Sequence, residues 1–290
     1  MTLTNFIGEI WSAQILQNLQ KSLVYGQANV INRDYEGEIR GKGDTVRITA
    51  HGPITIDNYD RVSGLGDPEE LDDASTTLEI DQAKYFNFRI EDVDKAQMNV
   101  ALMESATRDA AYRLADLADQ YVASVMVAGA GNAVGADGSD KIFDGSTDVV
   151  SEALLEVKQK LDEANVPAQG RWIIIPPWVT RWLLQEQASI VNPGWSGVEG
   201  VMLNAEIAKL FGFRILQSNN VPNDGGDHYK VVAGVARATT FADSVNETEA
   251  YRPEKFFADA LRGLHCYGAK VVDPDCLCVL TCSPSGGDES

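Results

Sequence analysis

Apolar residues recur at helical spacing in the first segment of the chain. Thr4 is a suitable N-cap. The apolar residues that follow it recur every three or four positions, and two of these positions are adjacent pairs. They are Phe6, Ile7, Ile10, Trp11, Ile15, Leu19 and Leu23. The next stretch, 28–37, is polar and turn-forming. A helix with so apolar a face must dock, either on the chain's own body or on a neighbouring subunit.

The pattern then changes to the alternation of apolar and polar residues that is typical of strands. It is found in four stretches: 44–49, 54–56, 75–80 and 85–90. The stretch 63–70 in their midst is acidic and rich in turn-forming residues. Together these predict a long two-stranded excursion with a mobile tip. An isolated hairpin of this length is only marginally stable in water, so we expect it to need a surface outside its own subunit.

A long uninterrupted helix is the clearest element that the pattern predicts. From Val93 to Val127 there is neither proline nor glycine, and apolar residues recur every three to four positions. Asp92 or Asp94 can cap its start, and Gly129 marks its end. Roughly 35 residues at 1.5 Å each give a helix on the order of 50 Å long. Such a helix acts as a strut across a domain.

The remainder alternates between helical and strand patterns. A loop rich in Gly, Asp and Ser is predicted from Gly129 to Thr147. Helices are predicted over 151–164, over 180–188 and within 197–211. Strands are predicted over 171–177, 213–216, 229–234, 238–241, 269–272 and 276–281, and 255–264 is mixed. The last residues, 283–290, form a solvated tail.

The charge of the chain narrows the classes of function. Its formal net charge is -19 at pH 7, and the acidic residues are scattered without forming a tract. Such a surface repels phosphate backbones, so sequence-specific binding of nucleic acid is not expected. Keeping the subunit soluble is the simplest role for this charge. No apolar run approaches the roughly 20 residues of a membrane span, and no secretory signal opens the chain, so we expect a cytoplasmic protein.

Four cysteines fall close together near the end of the chain: Cys266, Cys276, Cys278 and Cys282. Structural zinc sites usually pair their ligands with two to four residues between them, whereas nine, one and three residues separate the successive cysteines here. On an extended strand, the last three would share one face because side chains alternate. Buried reduced thiols are the favoured interpretation, with zinc and late oxidation as alternatives.

Other candidate chemistry is sparse. The glycine pattern of 129–135 follows a helix and lacks the lysine of a phosphate-binding loop, which indicates a linker. His51, His228 and His265 pair with no recognisable nucleophile. The Asp- and Gly-containing stretches 137–140 and 144–148 resemble calcium loops only weakly. We therefore predict no enzyme activity and no catalytic, cofactor-binding or metal-ligating residue.

The order of these parts and several local motifs resemble a known family. The motifs are NRDYEG (32–37) with GDTV (43–46), DQAKYFNF (81–88) before EDVDKAQ (91–97), NVP (165–167) with GRW (170–172), and GL (263–264) with GAKV (268–271). Nearly the whole chain resembles the major capsid proteins of tailed bacteriophages with the Hong Kong 97 type fold, in an actinophage-like branch.

The resemblance implies an α+β fold divided into named parts. Residues 1–40 would form an N-terminal arm and 41–90 an extension loop. The spine helix and peripheral domain would occupy 91–149, and the axial domain 150–250. Residues 251–290 would supply the C-terminal strands of the peripheral domain and the tail.

The resemblance also implies partners and a location. Copies of the subunit would form hexamers and pentamers of an icosahedral head around double-stranded DNA, which they would contact only non-specifically. A separate scaffolding protein and a portal would take part, and a decoration protein is a further candidate partner. Assembly would take place in the host bacterial cytoplasm, with a final location in the virion. Some members cross-link through a lysine at the loop tip. Between Asp57 and Asp73 this chain has no lysine, so we expect no such cross-link.

Other readings predict different particles. An encapsulin-like compartment shell would share the fold and enclose proteins where a phage head encloses DNA. A soluble α/β hydrolytic or ligand-binding enzyme would remain a monomer or small oligomer with one cleft. A tail-tube protein is a further alternative, which the long helix disfavours.

Overall fold

A computed structural model describes residues 24–34, 43, 45–51, 61, 73–91, 101–135, 139–144, 148–186, 206–224, 226–255 and 258–284. The helix expected over 4–23, the strand over 54–56 and the loop tip over 63–70 lie outside these residues.

The described residues form three α-helices, two short 3-10 helices and twelve strands. The helices are α1 (Ala101–Gly129), α2 (Val150–Glu163) and α3 (Pro177–Glu186). The first six strands are β1 (Thr45–His51), β2 (Asp73–Glu79), β3 (Gln82–Glu91), β4 (Asn132–Val134), β5 (Lys141–Ile142) and β6 (Trp172–Ile175). The others are β7 (Glu206–Leu210), β8 (Phe213–Gln217), β9 (Tyr229–Gly234), β10 (Thr239–Tyr251), β11 (Ala258–Val271) and β12 (Leu277–Ser283).

The strands are arranged in three sheets. β1 and β2 form an antiparallel pair. β10, β11 and β3 form an antiparallel sheet in that order. The third sheet has the order β4-β12-β9-β6-β8-β7, and β5 also pairs with β12. Because this third sheet mixes parallel and antiparallel pairs while the second is antiparallel, the α+β class is confirmed.

The large sheet is the centre of the main hydrophobic core. Every residue of β6 is buried, as expected for a strand covered on both faces. Helix α2 begins without an N-capping side chain, since Val149 stands at that position. The carboxylate of Glu186 in α3 accepts the N–H groups of Val150 (2.8 Å) and Ser151 (3.2 Å) instead. The last residue of α3 thus satisfies two free N–H groups in the first turn of α2 and fixes the two helices together.

Helix α1 packs closely against the three-stranded sheet. Its buried stripe is rich in small residues, including Ala111, Ala115 and Ala118, which allow a close approach. At its end, a Cβ added to Gly129 would lie 2.8 Å from Cβ of Val271 in β11, too close for any other residue without a shift. Gly129 therefore ends the helix, as predicted, and also lets it meet the sheet. Residues 92–100, where the helix was predicted to begin, lie outside the described residues.

Three local predictions need correction. The helix expected within 197–211 is wrong for Glu206–Leu210, which is strand β7 beside β8. The loop expected from Gly129 to Thr147 contains β4 and β5, both of which pair in parallel with β12. Their partner lies more than 130 residues away in sequence, so no local pattern could reveal them. Helix α3 begins at Pro177, three residues earlier than expected, since proline suits a first helical position.

The predicted two-stranded excursion is right for β1 and β2 and wrong for β3. β3 pairs with β11 along its whole length, from Gln82 opposite Tyr267 to Glu91 opposite Ala258. The strand expected over 238–241 continues to Tyr251 as β10, and β10 forms a long antiparallel pair with β11. The C-terminal strand β12 lies in the large sheet between β9 and β4, not beside β11.

Candidate assembly surfaces

The β1–β2 pair is an amphipathic ribbon that covers part of the three-stranded sheet. The register runs from Thr45 opposite Glu79 to His51 opposite Asp73. Its inward side chains are buried against Ala242 of β10 and Cys266 of β11: Val46, Ile48, Leu78 and Ile80. The outward side chains of Arg47, Thr77 and Glu79 are exposed. The sequence alternation found at these strands is therefore the alternation of a buried and a solvated face.

The base of the ribbon is anchored by backbone contacts. Gly43, whose φ of +92° favours glycine, donates its N–H to the carbonyl of Ile80 at 3.0 Å. On the sheet beneath, a Cβ added to Gly268 would overlap the carbonyl oxygen of Glu79 and lie 3.1 Å from Cα of Ile80. Only glycine at position 268 lets the base of the ribbon approach β11 this closely.

The outer edges of the ribbon have no strand partner among the described residues. β1 pairs there with β2 alone, and β2 with β1 alone. β3 is likewise the outer strand of its sheet in the described part of the chain. Unpaired strand edges present rows of backbone donors and acceptors that readily pair with another chain. These edges are candidate surfaces for contact between copies.

The exposed face of the three-stranded sheet carries an aromatic and charged row. Tyr85 of β3 is 78% exposed, which is unusual for so large a ring. Nε of Arg262 donates to the Glu249 carboxylate at 3.0 Å, and the guanidinium carbon lies 5.0 Å from the ring centre of Tyr251. The Tyr251 hydroxyl in turn donates to Asn87 at 3.2 Å. A hollow of about 300 Å³ lies beside this row. Tyrosine and arginine are enriched in protein interfaces, so this face is a second candidate surface.

Asp119 joins three parts of the chain. It lies on α1 and is 1% exposed. Its Oδ1 accepts the backbone N–H groups of Val24 (2.8 Å) and Tyr25 (2.7 Å), and its Oδ2 accepts the Asn220 side-chain amide at 3.1 Å. The same amide donates to Asp116 at 2.8 Å. The arm, the long helix and the loop after β8 therefore meet at one carboxyl group.

Burial changes the acid–base properties of this junction. The pKa of Asp119 is raised chiefly by its removal from water, and the hydrogen bonds from Asn220, Tyr25 and Val24 counteract part of that effect. The pKa of Tyr25 is also raised well above its usual value, by burial first and by the charge of Asp119 second. Both effects follow from placing polar groups in the interior.

A second attachment holds the arm to the three-stranded sheet. Arg33 donates to Asp243 of β10 at 2.7 Å and to the carbonyl of Gly26 at 3.1 Å. The other carboxylate oxygen of Asp243 lies 3.3 Å from Nε2 of His265, a fully buried residue of β11. The backbone of Asn32 also exchanges hydrogen bonds with Thr239 and Phe241. Residues 24–34 thus dock on the chain's own body, whereas the helix for which two docking surfaces were left open lies outside the described residues.

These attachment residues were missed by the sequence prediction. Asp119 sits on a helical stripe that otherwise contains buried residues such as Ala115, Val122 and Met126, and a carboxylate there could have been noticed. Arg33 belongs to the NRDYEG motif, but its partner Asp243 is 210 residues away. Gly268 gives no local signal of its role.

The four cysteines are all free and buried. Burial raises the pKa of the Cys278 and Cys282 thiols to about 12. Cys276 precedes β12 in a short helical turn, where Arg237 contacts its sulfur at 3.2 Å and its thiol donates to Asp273 at 3.0 Å. Among the described residues, no three Cys, His, Asp or Glu side chains come together as a metal site would require. The predicted burial of the four thiols is confirmed.

The other candidate residues are distributed over the fold. His228 pairs with Asp140, and Lys230 lies 3.0 Å from Asp224, beside a cleft of about 470 Å³. In the stretch 144–148, the Asp148 carboxylate accepts the N–H of Ile142 at 2.8 Å. His51 ends β1. No helix among the described residues is long and apolar enough to cross a membrane.

Comparisons with known proteins agree with this architecture. Residues 73–280 match the model of a family described as phage capsid protein. No curated protein matches the sequence. A structure from Mycobacterium phage Che8 is 26% identical, with a TM-score of 0.70 over 89% of this chain and 90% of that chain.

More distant structures share the fold. A capsid structure of the cyanophage P-SCSP1u is 17% identical, with a TM-score of 0.70 over 92% of this chain and 90% of that chain. A virus-like particle from Pyrococcus furiosus is 16% identical, with a TM-score of 0.56 over 94% of this chain and 99% of that chain.

Proposed function

This chain belongs to the phage capsid protein family, and from that premise we propose how its copies build a head. It is a major capsid protein with the Hong Kong 97 type fold, it assembles with other copies of itself, and its place is in the virion. We propose that the copies form hexamers and pentamers that close into an icosahedral shell around double-stranded DNA, assembled in the cytoplasm of the host bacterium.

The observation that carries this proposal is the β1–β2 ribbon. The outer edges of this pair have no strand partner among the described residues, and unpaired strand edges readily pair with another chain. Its inner face is covered by the chain's own sheet, whereas the outward side chains of Arg47, Thr77 and Glu79 are exposed. Many such modest contacts made in parallel give a stable closed assembly.

The division into parts follows the sheets. We propose that residues 1–40 are the arm and that the extension loop starts at about 41 and includes β1 and β2. The peripheral domain then consists of α1 with β3, β10 and β11. The axial domain consists of the seven-stranded sheet with α2 and α3, to which the C-terminal β12 contributes. By sequence position alone, β3 would belong to the extension loop and β12 to the peripheral domain. This assignment moves β3 to the peripheral domain and β12 to the axial domain.

The chemistry of the subunit suits a structural role without catalysis. We propose that it needs no cofactor or metal and that its titratable junctions, such as Asp119 and Arg33–Asp243, hold the arm in place. The charge of -19 keeps contact with packaged DNA non-specific. A separate scaffolding protein and a portal complete the set of proposed partners, with a decoration protein as a further candidate.

The test is to purify the full chain and follow it by sedimentation velocity and negative-stain microscopy. We expect closed shells, and nucleic acid inside particles recovered from infected cells. The Gly268→Ala variant should fold but form fewer shells, because its Cβ displaces the base of the ribbon. Gly226→Ala is the matched control, since the nearest atom to a Cβ there lies 3.6 Å away. A chain that stays monomeric under all assembly conditions, or particles filled with protein in place of DNA, would contradict the proposal.

A further inference from the structure

Strand β3 is the long outer strand of the three-stranded sheet. It has 10 residues and pairs with β11 from Gln82 to Glu91, and its other edge has no strand partner among the described residues. Strands of globular proteins are mostly about 5–6 residues long, so this is an extended edge. Such an edge offers a row of backbone donors and acceptors to another strand.

The side chains on one face of β3 form a row that changes in character along the strand. Tyr85, Asn87 and Arg89 are two residues apart, so they lie on the same face of the sheet, and all three are exposed. The row therefore begins with an aromatic ring, has an amide at its middle and ends in a cation. Because a guanidinium is attracted to the face of a tyrosine ring, β3 is complementary to a reversed copy of itself.

We propose that the free edge of β3 pairs antiparallel with β3 of a second copy, about a two-fold axis at Asn87. In this register Asn87 faces its own counterpart, and Arg89 of each copy lies opposite Tyr85 of the other. The backbones of residues 83–91 then pair along nearly the whole strand. The two three-stranded sheets become one continuous sheet.

Charge and aromatic character select this register over its neighbours. A pair centred on Arg89 would place two cations directly opposite each other, which is destabilising. A pair centred on Phe86 would place Arg89 opposite Ala83, where the cation meets no ring. The cation and the ring face each other only when the axis lies at Asn87. This arrangement also covers Tyr85, which is 78% exposed in the single chain.

The symmetry of the contact determines where it can lie in the particle. A two-fold contact uses the same surface on both copies and closes on itself, whereas a ring of five or six copies needs head-to-tail contacts. The β3 pair therefore joins a subunit of one capsomer to a subunit of the next. This inference rests on the proposed assembly into hexamers and pentamers and names the edge that connects them.

Disulfide trapping in assembled particles of the full chain tests the pairing. Directly opposite residues in an antiparallel pair have Cβ atoms about 4.5–5.5 Å apart, close to the spacing of a disulfide. After mild oxidation, Asn87→Cys should give a dimer band on a non-reducing denaturing gel, with no longer ladder. The wild-type chain is the baseline and should give no dimer, because its four cysteines are buried.

Two variants of the same row are matched controls for the register. In the proposed pair, the two copies of residue 85 are four positions apart along the strands, about 13 Å, and so are the two copies of residue 89. Tyr85→Cys alone and Arg89→Cys alone should therefore give no dimer. Particles assembled from a mixture of these two variants should give dimers, because residue 85 of one chain faces residue 89 of the other.

The outcomes separate this inference from the proposed function. Shells in which neither Asn87→Cys nor the mixture gives dimers would overturn the pairing and leave the capsid function intact. Dimers from Tyr85→Cys alone, or ladders longer than a dimer from Asn87→Cys, would also overturn it. A chain that forms no shell would contradict the proposed function. The same gel then decides the pairing in solution, where dimers from Asn87→Cys support it and monomers overturn it.

Discussion

Replacing Asp119 by alanine should release the arm from the long helix. The carboxyl group accepts hydrogen bonds from Val24, Tyr25 and Asn220 and is almost completely buried. Alanine removes the acceptor and leaves these donors in place. The arm then keeps its second attachment, through Arg33 and Asp243, but loses its first.

The size of the effect follows from how deeply each donor is buried. An unsatisfied buried donor costs about 1–3 kcal/mol. The Tyr25 N–H lies in the interior, whereas those of Val24 and Asn220 lie in partly buried positions that water can reach. Relief from burying the carboxyl group offsets part of the loss. The net cost of the substitution is then about 2 kcal/mol, which corresponds to a roughly 30-fold change in an opening equilibrium.

Hydrogen exchange measured by mass spectrometry is the appropriate assay because the loss is local. Peptides that cover residues 24–34 should lose protection by roughly 30-fold in Asp119→Ala, while peptides from β6 should be unchanged. Limited proteolysis should show faster cleavage in the same region.

Two variants make the result interpretable. Asp109→Ala removes an exposed carboxylate on the same helix, whose ion pair with Arg113 is solvated, and should leave the arm protected. Asp119→Asn keeps one oxygen for the arm but turns an amide toward the amide of Asn220, so it should lie between wild type and alanine. Unchanged protection in Asp119→Ala, or an equal loss in Asp109→Ala, would refute the reasoning.

Three further predictions concern the rest of the fold. Gly268→Ala should destabilise the ribbon by about 1–3 kcal/mol, measured by urea denaturation against Gly226→Ala, and equal midpoints would contradict the close approach at its base. The stability should fall as the pH rises from about 9 to about 12, because the unfolded chain loses the Cys278 and Cys282 protons that the folded chain retains. Replacing both cysteines by alanine should make that slope shallower, and an unchanged slope would show that other groups cause it. Mature particles should give single subunits on denaturing electrophoresis, since no lysine lies between Asp57 and Asp73, and covalent ladders would disprove this.

The elements that the sequence predicted well are those with a strong local period. The end of α1 at Gly129, the strands at Thr45 and Trp172, and helix α2 all follow from the spacing of apolar residues. The elements missed are short or depend on distant partners. β4 and β5 are strands because they pair with β12, and β7 is a strand because it pairs with β8. Tertiary pairing overrides weak local preference in such segments.

The candidate surfaces were only partly predictable. The alternation over β1 and β2 indicated a ribbon with one apolar face, and the structure confirms that face. The attachments of the arm could not be predicted, because Asp119 and Arg33 act through residues about 95 and 210 positions away. The role of a buried carboxylate can be assigned only when its hydrogen-bond donors are known. These donors come together only in the folded chain.

Electron cryomicroscopy of the assembled particle tests the central claim most directly. The account predicts a closed icosahedral shell in which an outer edge of the β1–β2 ribbon, or the Tyr85 face, contacts a neighbouring copy. A particle in which both the ribbon edges and that face are directed into solvent would contradict it, as would a protein that forms no shell.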